Sequence, residues 1–249
     1  MARKPAHLPP PYLKRLWFDP SREVDWDAYS FCLPIFRRGE FELEFETQVT
    51  ILVGENGAGK STLLEGIAYL AGFDEAGGGK GHRPVDHSSA LDKSGTLLGR
   101  ALKAGWLPKL TDGWFFRAES FYSVARYLDD MGSPAANFLS ASHGEGFLDF
   151  FEQRVRKRAL YLLDEPEAAL SPVRQIELMK YLRRMGEEAE FQIVMATHSP
   201  LLMAYPGATL LRIQGDSLLP VKLEDTDHFR LFRDFCKDPK YFIDVWLET

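Results

Sequence analysis

Residues 54 to 62 read Gly54-Glu55-Asn56-Gly57-Ala58-Gly59-Lys60-Ser61-Thr62, which satisfies the phosphate-loop spacing of two glycines separated by four residues and followed by lysine and serine. Such a loop works only where a buried strand ends and a helix begins, so it constrains the architecture more than any other stretch of the chain. Both flanks are in order. The apolar, β-branched run Val49-Thr50-Ile51-Leu52-Val53 precedes the loop, and is short enough to be a buried strand. After it, Leu63, Leu64, Ile67, Leu70 and Ala71 recur at helical spacing until Gly72, a residue that ends helices. A chance glycine-rich turn would not bring both neighbours.

The chemistry follows from that geometry. Gly54, Gly57 and Gly59 let the backbone curl so that successive N–H groups point at phosphate oxygens, and the helix N-terminus beneath adds partial positive charge. Lys60 is placed to reach the β- and γ-phosphates, and the Ser61 hydroxyl to ligate Mg²⁺. The main ligand expected is a nucleoside triphosphate.

Composition narrows the setting. A chain of 249 residues makes one large domain, or one domain with an inserted lobe. Its 45% hydrophobic and 27% charged residues are those of an ordinary soluble globular protein. No apolar run approaches the length of a membrane span, and the basic N-terminus carries Pro9-Pro10-Pro11 in place of a signal's apolar core, so a cytoplasmic location is expected. Cys32 and Cys236 form neither a zinc pair nor a disulfide framework. The net charge of -6 lacks the basic excess of a dedicated nucleic-acid binder; Arg154, Arg156, Lys157 and Arg158 read as cations ending a helix.

The remaining pattern alternates strand with helix. Phe41 to Phe45 alternates as a half-buried antiparallel strand, and residues 74–92, with Gly77-Gly78-Gly79, read as a flexible loop. Trp114-Phe115-Phe116 reads as a strand, Ser120 caps a helix, and residues 132–146 lead into an amphipathic helix ending near Arg158. Residues 159–163 and 191–197 have the continuous apolar character of central parallel strands, with a helix opened by Ser171-Pro172 between them. A hairpin at Gly215-Asp216 and a helix capped by Thr226 close the chain. Phe229, Phe232 and Phe235 of that last helix read as core, with a partner surface as the competing reading. The expected fold class is α/β with a mixed central sheet.

Asp164 and Glu165 stand at the C-terminal end of an apolar strand, the edge where open α/β sheets bind ligands. The first can hold Mg²⁺ and the second can orient or deprotonate the attacking water; read without the phosphate loop, they would be a helix-capping pair. His198 ends the next apolar strand, from which a parallel neighbour reaches the same edge and can hydrogen-bond a γ-phosphate. Alone it would be a structural histidine. Trp17 and Phe36 are candidates to stack on a base, with core packing as the competing reading.

The phosphate loop, the segment Leu160-Tyr161-Leu162-Leu163-Asp164-Glu165-Pro166, the following Ala168-Ala169-Leu170-Ser171 and His198 together resemble an ABC-type ATPase. More narrowly, with residues 116–120 and 142–146, they resemble the soluble SMC/Rad50/RecF-like branch and its small stand-alone bacterial ATPases. The resemblance spans about residues 40 to 213.

It implies a single ABC-type head over residues 1–249: a core lobe at about 12–72 and 159–225, a loop and short helical lobe at about 73–158, and C-terminal helices at 226–249. It also implies ATP and Mg²⁺ as cofactors and an ATP-dependent homodimer, in which Ser142, His143, Gly144 and Glu145 of one copy meet the nucleotide on the other. Residues 168–171 would link the two sites. Glu119 stands where the family has its glutamine contact to Mg²⁺ and water, and His143 replaces a glycine of the signature.

By analogy with that branch, the process served is DNA repair, defence or chromosome maintenance, with DNA and an unidentified protein as partners. The 22 residues between Glu119 and Ser142 leave no room for a long coiled coil. The alternative is the nucleotide-binding subunit of a membrane transporter, itself without membrane insertion. A GTPase or small-molecule kinase fits less well, since no guanine-reading N-K-x-D segment occurs.

Overall fold

The computed structural model describes residues 8–37, 39–75, 77–80, 94–110, 112–119, 143–154, 158–188 and 190–248. Ser142, the helix expected from Ser120 and most of the loop at 74–92 lie outside them. In chain order the elements are β1 (Leu13–Phe18), α1 (Tyr29–Cys32), β2 (Glu42–Glu44), β3 (Val49–Val53), α2 (Lys60–Ala71), α3 (Ser94–Ala101), β4 (Leu102–Trp106) and β5 (Gly113–Arg117). They continue with α4 (His143–Arg154), β6 (Arg158–Asp164), α5 (Pro172–Glu188), β7 (Glu190–Ala196), α6 (Pro200–Met203), β8 (Thr209–Gln214), β9 (Ser217–Pro220), α7 (Asp227–Lys237) and α8 (Pro239–Leu247).

Two sheets organise them. The larger runs β5-β6-β7-β3-β8-β9 and the smaller β2-β1-β4. In the larger sheet every pairing is parallel except β8 with β9, which makes it mixed, as expected. The apolar runs of β3, β6 and β7 are buried almost throughout because both faces of the sheet are covered. One face packs against α2 and the smaller sheet, and the other against α4 and α5. The alternation at Phe41 to Phe45 is that of β2 in the antiparallel sheet, with the odd positions buried.

One polar residue stitches the two sheets. Gln192, wholly buried in β7, accepts from the Tyr12 and Leu13 N–H groups at 2.8 and 2.7 Å and donates to the Leu13 carbonyl at 3.0 Å. Every polar atom it carries into the core is thereby engaged.

Three expectations change. Within the span expected to be loop and helical lobe, β4 joins the smaller sheet as an unexpected strand, while the strand expected at Trp114-Phe115-Phe116 is β5 of the larger sheet. Gly77-Gly78-Gly79 is not a flexible linker: all three residues are buried, and Gly78 exchanges hydrogen bonds of 2.9 and 3.0 Å with Phe115. A Cβ on Gly79 would stand 2.8 Å from the Trp114 ring, so close approach is what requires glycine there. Thirdly, no residue of α7 or α8 is buried. The apolar face of α7 serves a helical hairpin, where Phe235 meets Phe242 edge-on at 5.9 Å, and Phe232 is 52% exposed.

Candidate functional site

The phosphate loop leaves β3 and enters α2 through three glycines, Gly54, Gly57 and Gly59, all with positive φ. Gly59, at φ 100°, caps α2 in the left-handed region, and a Cβ there would press on Leu33 and Ile35 at 3.3 Å. At Gly54 it would stand 2.8 Å from the Ile213 carbonyl oxygen. The curl is therefore fixed by packing as well as by backbone freedom. Gly72 closes α2 as expected, its N–H bonding to the Ala68 and Tyr69 carbonyls.

Lys60 opens α2 and is buried, with Nζ donating to the Gly54 and Glu55 carbonyls at 2.8 and 3.0 Å. Burial lowers its pKa, against the opposing pull of Glu165, Asp164 and Glu55. Glu55, Asn56 and Gly57 form the exposed crown of the loop, while Thr62 is buried beneath it.

Strand registry assembles the rest. Arg117 on β5, Asp164 on β6 and Ala196 on β7 stand side by side at one sheet edge. Ser61 Oγ donates to Asp164 Oδ1 at 3.0 Å. Asp164 is buried, which pushes its pKa up to about 6 despite Arg117 and the Ser61 hydroxyl. A hydroxyl and a carboxylate oxygen are the hard donors that Mg²⁺ takes, and a cation beside this desolvated carboxylate would offset its burial, so the residues present fit that ion.

Glu165 has φ 48° and ψ 53°, the left-handed region, and is the one described non-glycine residue with positive φ. A conformation of that kind costs roughly 1–2 kcal/mol, and here it aims a half-exposed carboxylate at His198, whose Nε2 is 3.5 Å from Glu165 Oε1. Burial lowers the His198 pKa, with Lys60 and His228 acting in the same direction.

His198 is held from two sides. Its backbone N–H donates to Glu167 Oε1 at 2.5 Å. The loop after β7 is further tied to the one after β6 through Gln175, which donates to the Leu170 carbonyl and accepts from the Ser199 hydroxyl.

Tyr29, Asn56, Gly57, Gly59, Lys60, Ser61, Thr62 and Glu165 line one cavity of about 310 Å³. The expected residues of the phosphate loop and the two carboxylates thus converge. Glu119 does not join them directly: its side chain is 81% exposed and pairs with Arg117 at 3.5 Å. His143, Gly144 and Glu145 open α4, and Ser142 before them is outside the described residues.

Of the two aromatics weighed between base stacking and core packing, neither lines the cavity. Phe36 is wholly buried, and Trp17 is half-buried under the Arg15 guanidinium. Tyr29, 59% exposed at the cavity wall, was missed because nothing in its local sequence marks it.

Arg117 was missed as well. Its guanidinium meets Glu65 at 2.7 Å, the Glu75 carbonyl at 3.0 Å and Asp164 at 3.5 Å. A wider cleft of about 740 Å³ lies between α4 and α5, where four cations, Arg174, Lys180, Arg183 and Arg184, balance four carboxylates. It holds no site residue and presents no net positive field.

Two family models match parts of the chain. A family model described as "AAA domain" matches residues 30–99, which carry the phosphate loop. Another, described as "AAA domain, putative AbiEii toxin, Type IV TA system", matches residues 145–204, which carry Asp164, Glu165 and His198. The chain is 28% identical to the thiamine import ATP-binding protein ThiQ of Vibrio parahaemolyticus over 70% of its own length and 79% of the relative's. It is 29% identical to the aliphatic sulfonates import ATP-binding protein SsuB of Pseudomonas fluorescens, over 61% and 58% of the two chains.

Among solved structures, the SMC head domain from Thermotoga maritima aligns at 16% identity and a TM-score of 0.46, over 85% of this chain and 99% of that one. Among the described residues no helix is long and apolar enough to cross a membrane. With AAA-domain matches over both halves of its motif set, and relatives named as ATP-binding proteins across more than two thirds of its length, the chain is similar to the ABC-type ATPases.

Proposed function

We propose that this ATPase is a dimerisation switch, in which ATP joins two copies head to head and hydrolysis releases them. In this reading the amides of residues 54–62 and Lys60 hold the β- and γ-phosphates, where an incoming phosphate oxygen competes with the Gly54 and Glu55 carbonyls for the Lys60 ammonium. Ser61 and Asp164 would hold Mg²⁺, with Glu119 at the outer edge; the ion would supply charge neutralisation at the phosphates.

Glu165 orients the attacking water and accepts its proton. His198 Nε2–H donates to the γ-phosphate, and Tyr29 offers its exposed ring to the base. Ser142, His143, Gly144 and Glu145 of the second copy complete the site.

The observation that carries the reading is the meeting of Ser61 with Asp164, and of Glu165 with His198, around the cavity that contains Lys60. Glu165→Gln tests it: ATP binding should persist and a dimer accumulate with ATP and Mg²⁺, seen by light scattering. Adding Ser142→Arg should return the protein to monomer with nucleotide still bound. Monomers throughout, with wild-type turnover, would contradict the switch.

A second reading makes the chain the nucleotide-binding subunit of a transporter. It is favoured by the curated relatives, which are named as import ATP-binding proteins, and co-purification with a polytopic membrane protein would establish it. Service to DNA rests on resemblance to the soluble branch. The balanced charge of the wide cleft gives it no electrostatic support, and ATP-stimulated, salt-sensitive binding to duplex DNA is its test.

A further inference from the structure

The geometry points to His228, on the C-terminal helix α7, as a positioning residue that fixes the tautomer of His198 so that its Nε2 carries the proton facing the site. Two imidazole nitrogens, His198 Nδ1 and His228 Nε2, are 2.8 Å apart, with the rings tilted by 59°. A hydrogen bond between them needs one N–H and one lone pair.

The opposite side of the His198 ring decides which nitrogen has which. His198 Nε2 is buried, has no hydrogen-bond partner among the described residues, and lies 3.5 Å from Glu165 Oε1. If His198 donated through Nδ1, Nε2 would present a bare lone pair to a carboxylate, which is repulsive. If His228 Nε2–H donates instead, His198 Nδ1 accepts and Nε2–H points toward Glu165 and the cavity, which is attractive. The second arrangement satisfies both sides.

His228 is placed with little freedom although its helix is outside the core. Thr226, itself buried, accepts from the Phe229 N–H at 3.3 Å and donates to the Leu223 carbonyl at 2.8 Å, so the first turn of α7 is capped and tied to the turn before it. His228 lies in that turn. Since no residue of α7 or α8 is buried, removing the imidazole takes nothing from the core. The contact therefore brings the C-terminal helix into the hydrolytic site without making it a structural prop.

This inference rests on the reading of His198 as the γ-phosphate donor, and the experiment separates the two. With histidine nitrogens labelled with ¹⁵N, the wild-type His198 should show protonated Nε2 and unprotonated Nδ1. His228→Met, which has no donor, should give a mixed tautomer and lower kcat about 10-fold, the usual scale for a partner that orients an active-site histidine, with KM for ATP within about twofold. His228→Gln keeps a donor at the same reach and should restore both the tautomer and most of the turnover.

Protonated Nδ1 on His198 in the wild type, or a spectrum unmoved by His228→Met, overturns the inference whatever the activity. His198→Ala with full turnover would instead overturn the role given to His198, while the tautomer measurement would still report on His228.

Discussion

Ser61 Oγ donates a 3.0 Å hydrogen bond to Asp164 Oδ1 across 103 positions of sequence, closing the phosphate loop after β3 onto the end of β6, with β7 lying between the two strands. The same two oxygens are those assigned to Mg²⁺. Ser61→Ala removes one of them and leaves Lys60 and the loop amides intact. Nucleotide binding in EDTA should stay within about threefold, whereas Mg²⁺-supported turnover should fall about 10- to 100-fold, the scale on which a lost supporting ligand acts. Fluorescent-nucleotide titration with and without Mg²⁺, beside a turnover curve against Mg²⁺ concentration, measures both. An unchanged Mg²⁺ dependence would remove Ser61 from the ion's site.

Asp164 holds its charge at a cost to the fold. Its folded pKa of about 6 lies above the ordinary aspartate value of 3.8, with burial as the main cause. A raised carboxylate pKa means that the folded state binds the proton more tightly. The contribution to stability is thus favourable at low pH, declines as pH rises between about 4 and 6, and is fully lost above 6. Asp164→Asn should accordingly be more stable than wild type at pH 8, by up to about 3 kcal/mol if one unit is taken as 1.36 kcal/mol, and the difference should shrink at pH 5. Urea denaturation at the two pH values checks the sign; a variant less stable at pH 8 than at pH 5, relative to wild type, would contradict it.

Much of this site was legible in the sequence because its parts are local. The phosphate loop between Val53 and Leu63, the carboxylates closing the apolar run before Pro166, and His198 closing the next run are each read within ten residues, and parallel pairing of β6 and β7 brings the last two together. Arg117, Tyr29 and His228 were not legible, since each reaches the site from an element whose neighbours no periodicity reveals.

Glycine misled for a related reason. Gly77 to Gly79 looks like a linker by composition, but its conformation is decided by Phe115 and Trp114, more than 30 residues away. The phenylalanines of α7 likewise show an apolar face without saying whether a core or a hairpin partner covers it.

Arg117 supplies a prediction about charge in the interior. Its side chain and that of Glu65 are 12% and 11% exposed, and the guanidinium also faces Asp164. Arg117→Met would leave two buried carboxylates without their cation and should cost about 3–5 kcal/mol. Adding Glu65→Met removes one of the two carboxylates that lose the guanidinium and should recover part of that loss, though not all, because Asp164 remains. Chemical denaturation of both variants decides it; a cost below about 1 kcal/mol for Arg117→Met would mean that water reaches these carboxylates.

Gly113 opens β5 at φ 146°, and a Cβ there would stand 1.9 Å from the Leu160 carbonyl oxygen and 2.7 Å from the Phe73 ring. Since Leu160 is the register partner of Gly113 on β6, neither backbone can retreat without breaking the sheet edge that carries Arg117. Gly113→Ala should cost about 3 kcal/mol or more, as backbone strain and overpacking add. Gly215→Ala is the control: φ is 61° but nothing lies within 4 Å of the added Cβ, so only the left-handed penalty of about 1 kcal/mol applies. Equal losses in the two variants would show that strain alone, and not the closeness of Leu160, restricts Gly113.

Tyr29 tests how the nucleotide base is held. It lines the cavity with a 59% exposed ring, whereas Phe36 is sealed in the core beneath Gly59 and Trp17 is covered by Arg15. An aromatic face left open beside a phosphate cradle offers stacking to any base, worth about 1–3 kcal/mol. Tyr29→Ala should therefore weaken ATP binding about 30-fold, near the middle of that range, while Tyr29→Phe keeps the ring and stays close to wild type. Stacking does not discriminate bases by hydrogen bonding, so ATP and GTP should lose affinity together. Trp17→Leu should leave Kd unchanged. Calorimetric titration of the three variants with both nucleotides reads all of this, and weakened binding in Trp17→Leu with none in Tyr29→Ala would move the base to the other side of the phosphate loop.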